Sequence, residues 1–162
     1  TLSSSSAASD VYKRQPEDML CFDVHALNQA FGRVYKPLLA PLGLTYPQYV
    51  VMSVLWDAAP LPVGGIGRRT GMETSTLTPL LKRLEAQGLV TRTRAREDER
   101  RVEIALTEAG QAMAARTAHV PECVGRATGM TEAEIAGLRA TLGRLRRALD
   151  AQSGANSSRS AG

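Results

Sequence analysis

Thr74-Ser75-Thr76-Leu77-Thr78-Pro79-Leu80-Leu81-Lys82-Arg83-Leu84, then Glu85-Ala86-Gln87-Gly88 and Leu89-Val90-Thr91-Arg92-Thr93-Arg94, decides how this chain folds. Leu77, Leu80, Leu81 and Leu84 recur at helical spacing, so one face of a helix is apolar. The other face carries hydroxyls and cations. Thr74 or Ser75 starts this helix, Pro79 falls in its first or second turn, and Gly88 closes it. Leu89–Arg94 then alternates as a strand. Arg96–Arg101 makes a charged tip, and Val102-Glu103-Ile104-Ala105-Leu106 returns as the partner strand.

Upstream, Glu17 and Asp18 sit in an expected first helical turn, where carboxylates suit the helix dipole. Leu20, Val24, Leu27, Phe31, Val34, Leu38 and Leu39 continue at helical period, until Pro37 ends or kinks the helix. Thr45 caps a second helix with Pro47 in its first turn. Tyr49, Val50, Met52, Val54, Leu55 and Trp56 are its core candidates, and Ala59-Pro60-Leu61-Pro62 stops it. A short Gly-weakened helix is expected from about Val63 to Thr70, with a turn at Gly71. Downstream, Thr107 and Glu108 open a long helix through Met113 and Val120 that Pro121 kinks. Thr131 with Glu134 is a capping box for a last helix ending near Ala151.

Helix, helix, short helix, helix, hairpin, helix, helix is the order of a winged helix-turn-helix. The expected fold is therefore mainly α with a small β-hairpin, the winged module being flanked by long N- and C-terminal helices. Their apolar stripes suit burial against a second copy, so a homodimer is expected. Residues 1–15 differ sharply in composition from the rest of the chain and are expected to be disordered or foreign to the fold. Residues 153–162 read as a flexible tail.

At 162 residues the chain is long enough for one domain with a real core. Aromatic residues make only 4%, so that core is mostly aliphatic. A formal charge of +4 permits a polyanion partner without proving one. Two cysteines are too few for a disulfide framework, which points to a reducing, cytoplasmic setting. No apolar run reaches the roughly 18 residues of a membrane span, so no membrane partner is expected.

A helix-turn-helix needs a second helix whose exposed face enters the major groove. Glu73, Thr74, Ser75, Thr76, Thr78 and Pro79 offer that face. Small hydroxyls let the backbone approach the bases, and Lys82 and Arg83 are placed for phosphates. Thr74 and Ser75 equally suit a plain capping role. The hairpin tip holds Arg92, Arg94, Arg96, Arg100 and Arg101 against Glu97, Asp98 and Glu99. Such a run is either a solvated turn or a wing, and the arginine excess favours a wing.

Cys21 stands at the head of the first helical pattern, in Met19-Leu20-Cys21-Phe22-Asp23-Val24-His25. A lone thiol in such a context is ordinarily small core packing. The first turn of a helix, however, favours a thiolate, the form that reacts with oxidants. His25 comes at i+4, on the same face. It serves either as an imidazolium favouring that thiolate or as a polar side chain in a wet pocket.

With these residues in view, the chain resembles the MarR family of transcription regulators, and within it the organic hydroperoxide resistance regulators. Leu20-Cys21-Phe22, Leu44-Thr45-Tyr46-Pro47-Gln48-Tyr49, Leu77–Leu84, Asp98-Glu99-Arg100 and Leu106-Thr107 carry the resemblance, which covers about Leu20 to Leu149. It implies one MarR-type domain over residues 16–152. Dimerisation helices take 16–45 and 107–152, and the winged helix-turn-helix takes 46–106. It implies a repressor on a pseudo-palindromic double-stranded DNA operator, with Arg100 in the minor groove and Asp98 fixing the wing. It also implies that Cys21 is oxidised by an organic hydroperoxide, that Tyr35 and Tyr46 hydrogen-bond it, and that oxidation releases DNA. Tyr35 lies 14 residues beyond Cys21, about 21 Å along a continuous helix at 1.5 Å per residue, so the phenols would have to come from the other subunit. No enzyme activity, cofactor or metal site is expected.

Two departures stand out. The family's frequent tyrosine one turn after the reactive cysteine is His25 here. The position of the resolving cysteine in two-cysteine members aligns with Arg126, while Cys123 sits three residues earlier. Either Cys123 resolves oxidised Cys21 across the dimer, or a low-molecular-weight thiol caps it. Three rival readings remain open. Cys21 with His25 and His119 with Cys123 make two i,i+4 pairs, which together suit zinc. A small aromatic ligand is the signal of other MarR-type proteins. A thiol peroxidase would use Cys21 catalytically, though no C-x-x-C motif is present.

Overall fold

The computed structural model describes residues 18–95 and 98–159; side chains 94, 95, 98–101 and 153–159 lie outside that description. The chain divides into two compact units between Pro121 and Glu122.

In the first unit, α1 runs Leu20–Leu39 and passes through a 3-10 turn, Ala40–Leu42, into α2, Tyr46–Ala58. Helix α1 begins at Leu20 with Met19 as its N-cap, so Asp18 precedes the helix and Asp23 is the carboxylate of its first turn. Pro37 does not end α1 but sits in its last turn. It withholds one N–H, and the helix stops two residues later. Gly43, at φ 70°, closes the 3-10 turn in the left-handed region.

Thr45 caps α2 by a full capping box. Its hydroxyl accepts from the Gln48 N–H at 3.4 Å while Gln48 Oε1 accepts from the Thr45 N–H at 2.9 Å. Tyr49, Val51, Met52 and Leu55 are the buried apolar residues of α2. Val50, Val54 and Trp56, expected in the core, are only half-buried. Helix α2 is apolar nearly all round, so periodicity alone could not choose between Val50 and Val51.

The Ala59–Leu61 segment does more than stop α2. Leu61–Pro62 forms a short strand, β1, pairing antiparallel with β3, Asp98–Leu106, which also pairs with β2, Val90–Ala95. The expected hairpin is therefore a three-stranded sheet of order β1-β3-β2. Proline is tolerated because β1 is an edge strand. Helices α3, Val63–Thr70, and α4, Thr74–Ala86, lie between β1 and β2 in the chain. Leu77, Leu80, Leu81 and Leu84 are all buried, as the helical spacing predicts. With Leu39, Met52, Leu55, Ile66 and Ile104 they make the aliphatic core, each contributing roughly 1.5–3 kcal/mol by removal from water.

The long helix expected after the wing is two helices. Helix α5 runs Glu108–Thr117, and α6 runs Val120–Ala127. Pro121 cannot bond back to Thr117 and its ring crowds that carbonyl, so α5 stops there and the proline falls into the first turn of α6. In the second unit α7 spans Glu132–Arg159, past the expected end at Ala151 and into residues read as a flexible tail. No proline interrupts Ala151–Arg159, and an established helix needs no new nucleus to extend. Thr131 and Glu134 form the predicted capping box, whose hydrogen bonds hold the Glu134 carboxyl below its ordinary range.

One corner fastens the sheet to α5. Thr107 Oγ1 donates to the Gly88 carbonyl at 2.6 Å and accepts from the Gly110 N–H at 3.0 Å. Trp56 Nε1 donates to the Gly110 carbonyl at 2.8 Å. A methyl at Gly110 would lie 2.0 Å from the Leu89 carbonyl oxygen, backbone that cannot yield alone. Gly110→Ala is therefore expected to lose about 2–4 kcal/mol of stability, read from the denaturation midpoint at unchanged m-value.

Candidate sensor and nucleic-acid interface

Cys21 is the second residue of α1 and is exposed, not buried packing. His25, one turn on, is exposed too. Met19, Leu20, Phe22, Val24 and Leu27 around them remain 43–59% exposed, an apolar end left uncovered by the described residues.

The other end of α1 is different. Tyr35 stacks on Tyr46 with ring centroids 4.4 Å apart and planes 24° from parallel. Tyr49 meets Tyr35 at 5.5 Å, and Trp56 meets Tyr49 edge-on at 6.0 Å. The tight turn of Pro41–Leu44 folds α2 back against α1 and so brings the two phenols together. Burial, and after it the neighbouring phenols Tyr46 and Tyr49, push Tyr35 up to about 12; burial also raises Tyr46. Both therefore stay protonated donors at neutral pH. Because α1 is unbroken from Leu20 to Leu39, Cys21 and Tyr35 stand about 21 Å apart within one chain.

Cys123 is half-exposed on α6. Arg126 reaches it, Nη2 to Sγ at 3.5 Å, while Nη1 bonds Glu122 Oε1 at 2.5 Å. His119 lies in the turn before α6, so its i,i+4 spacing from Cys123 is not a helical one. Among the described residues no three metal-binding side chains cluster.

Helix α4 presents Thr74, Ser75, Thr76, Pro79, Lys82 and Arg83 to solvent. The N-cap is Glu73, without a side-chain hydrogen bond, so Thr74 and Ser75 are not spent on capping. Thr78 is half-buried and its hydroxyl turns back to the Thr74 carbonyl at 2.8 Å. Arg94, Asp98 and Arg100 have strand positions in β2 and β3, but their side chains, like Arg96 and Glu97 entirely, lie outside the described residues. Arg92 is not at the tip: it is half-buried and pairs with Glu85 of α4 at 3.5 Å.

Two further features of the structure carry little signal in the sequence pattern. Arg68 and Arg69 expose two cations in the last turn of α3, Arg69 being held by Asp57 at 2.6 Å. Gln48 Nε2 donates to Gln87 Oε1 at 3.1 Å, and Gln87 Nε2 donates to the Gly43 carbonyl at 2.9 Å. The Thr45-x-x-Gln48 spacing signals the capping box; nothing local signals Gln87.

Residues 33–116 match the model of the transcriptional regulator SarA/Rot family. The HTH-type transcriptional regulator TtmR of Methylorubrum extorquens is 48% identical over 138 residues, 85% of this chain and 71% of that protein. The chain belongs to the MarR/SarA family of transcriptional regulators. The organic hydroperoxide resistance transcriptional regulator of Bacillus subtilis is 44% identical over 105 residues, 65% of this chain and 71% of that one. Reduced AbfR bound to DNA superposes with a TM-score of 0.66 at 33% identity, covering 80% of this chain and 91% of that one; AbfR comes from Staphylococcus epidermidis. AbfR has also been solved overoxidised on DNA and with a disulfide formed. MarR/SarA proteins such as these are DNA-binding regulators, not enzymes. No single described helix is long and apolar enough to cross a membrane.

The Tyr35 shift has a definite pH consequence. Its folded pKa exceeds the unfolded value of 10, so its contribution to stability is complete below pH 10 and disappears as pH rises through about 12. Ultraviolet titration of phenolate is expected to show one step near 12 that Tyr35→Phe removes, with wild-type unfolding free energy falling across the same interval.

Proposed function

We propose that this regulator binds a pseudo-palindromic DNA operator as a homodimer and releases it when an organic hydroperoxide oxidises Cys21. The observation that carries this reading is the separation of an exposed first-turn thiol from a stacked phenol pair on one unbroken helix. A second copy laid antiparallel along α1 would bring its Tyr35 and Tyr46 to Cys21 and cover Leu20, Phe22 and Val24. The likeness to a hydroperoxide resistance regulator supports the same reading.

The Cys21 sulfur attacks the distal peroxide oxygen and the O–O bond breaks. The departing alkoxide takes a proton and leaves as alcohol, with sulfenic acid on Cys21. Protonated Tyr35 and Tyr46 are suited to donate hydrogen bonds to the sulfur before, and to the leaving oxygen during, this step. A second thiol, Cys123 or a small cellular one, then condenses with the sulfenic acid, forming a disulfide and water. The altered dimer no longer presents its two α4 helices about 34–36 Å apart, one turn of DNA. In the bound state Thr74, Ser75, Thr76, Thr78 and Pro79 face base edges, and Lys82 and Arg83 meet phosphates. Arg94, Asp98 and Arg100 serve the wing. The protein would thus act in the cytoplasm and repress its target.

Mass spectrometry of protein treated with a lipid-like hydroperoxide, with DNA binding followed in parallel, tests the reading. One equivalent consumed per Cys21, together with loss of DNA, is expected; steady turnover would instead mark a peroxidase, and stoichiometric zinc in reduced dimer a metal sensor. Cys21→Ser is expected to bind DNA as wild type and to stay bound under hydroperoxide. A serine protein that still lets go would sink thiol sensing and favour an aromatic-ligand response. Tyr46→Phe is expected to slow Cys21 oxidation by about fivefold, the worth of roughly 1 kcal/mol of hydrogen bonding.

A further inference from the structure

We infer that Gln87 is a positioning residue coupling the phenol-bearing α1–α2 junction to α4, so that the state of the sensor reaches the DNA-facing helix through one side-chain amide. The inference rests on the function proposed above. Its evidence is a hydrogen-bonded chain whose members are far apart in sequence.

Gln48 is only 5% exposed. Its Oε1 is occupied by the Thr45 N–H at 2.9 Å and the Thr45 hydroxyl at 3.1 Å, leaving Nε2 to be satisfied. Gln87 Oε1, 39 residues away, supplies the acceptor. The remaining end of the Gln87 amide donates to the Gly43 carbonyl, 44 residues away. One amide thus bridges the end of the 3-10 turn and the first turn of α2.

Gln87 is also the C-cap of α4, but through its backbone N–H, which bonds the Arg83 carbonyl while the Gly88 N–H bonds that of Glu85. The side chain is therefore free of the capping task. Immediately beyond, the Gly88 carbonyl accepts from Thr107 and the Leu89 N–H bonds Leu84, where the chain enters β2.

On the sensor side, Tyr46 is the first residue of α2, inside the turn that the Thr45–Gln48 box closes. A displacement of Tyr46 moves that box as a unit. The box cannot leave Gln87 behind cheaply, because the buried Gln48 Nε2 would lose its partner. The end of α4 must move with it, and so must the register of Lys82 and Arg83.

The test uses the full chain with Gln87→Ala and Gln87→Glu. In Gln87→Ala, Cys21 is expected to oxidise at the wild-type rate and reduced protein to bind operator close to wild type. The drop in operator affinity on oxidation should shrink by about tenfold, within the usual range of coupling between sites. Gln87→Glu retains the acceptor for Gln48 but faces the Gly43 carbonyl with a carboxylate, so it should recover only part of the response. A full wild-type drop in Gln87→Ala, with Cys21 shown oxidised, would overturn the inference. If wild-type protein itself ignores hydroperoxide, the sensing function fails visibly in that control. The coupling is then judged without oxidant, by a double-mutant cycle of Tyr46→Leu and Gln87→Ala on operator affinity. Non-additivity supports the link, and strict additivity refutes it.

Discussion

A straight α-helix cannot bring residues fourteen positions apart into contact. That constraint governs α1, unbroken from Leu20 to Leu39. It holds the exposed Cys21 at one end and the half-buried Tyr35–Tyr46 stack at the other. The apolar side chains near Cys21 stay exposed among the described residues, whereas Leu39 at the far end is wholly buried. A contiguous exposed apolar end of this kind suits association, the part it plays in the proposed homodimer. Within one chain the Cys21 sulfur and these phenols therefore cannot meet, and the proposed chemistry joining them requires a second copy.

The winged module is built so that its parts cannot shift independently. Four leucines of α4 lie in the core, so the helix has no loose face on that side. At its C-terminal end, Gly88 accepts from Thr107, Gly110 abuts the Leu89 backbone, and Arg92 returns from β2 to Glu85. The last turn of α4, the start of β2 and the start of α5 consequently share one corner. Close-packed interiors transmit displacement because they have no free volume in which to absorb it. Movement imposed on this corner is felt by both α4 and the start of β2.

Much of this architecture is legible in the residue pattern alone. The Leu77–Leu84 spacing locates α4, and Thr45 and Thr131 locate caps. Elsewhere local signals mislead for identifiable reasons. Leu61-Pro62 reads as a breaker, and becomes a strand only because β3 offers an edge that needs no N–H from proline. Pro121 reads as a kink, yet the carbonyl it crowds belongs to the last residue of α5, so the helix separates into two. Arg92 reads as part of a basic tip, and only the register of β2 on β3 turns it inward towards Glu85. Gln87 is invisible in the sequence because its partners lie 39 and 44 residues away, and no local pattern encodes a tertiary hydrogen bond.

The proposed switch needs a free-energy difference between two arrangements, not merely a modified sulfur. In that switch, oxidation adds one oxygen, or one disulfide, to the Cys21 thiol. Its effect on DNA is only as large as the difference it makes between bound and released geometries. In that proposal the phenols would supply one source of the difference, since donors set for a sulfur are misplaced for an oxygen beyond it. The α1–α2 junction supplies the lever: Tyr46 lies in the turn closed by Thr45 and Gln48, and Gln48 is tied to Gln87 at the end of α4. Short side chains such as Thr74 and Ser75 reach bases only when the helix backbone sits close. A displacement of the order of an ångström therefore costs these contacts more than it would cost the long, flexible Lys82 and Arg83. In the proposed switch, release would thereby be weighted towards loss of sequence reading, with the electrostatic hold on the phosphates the last to fade.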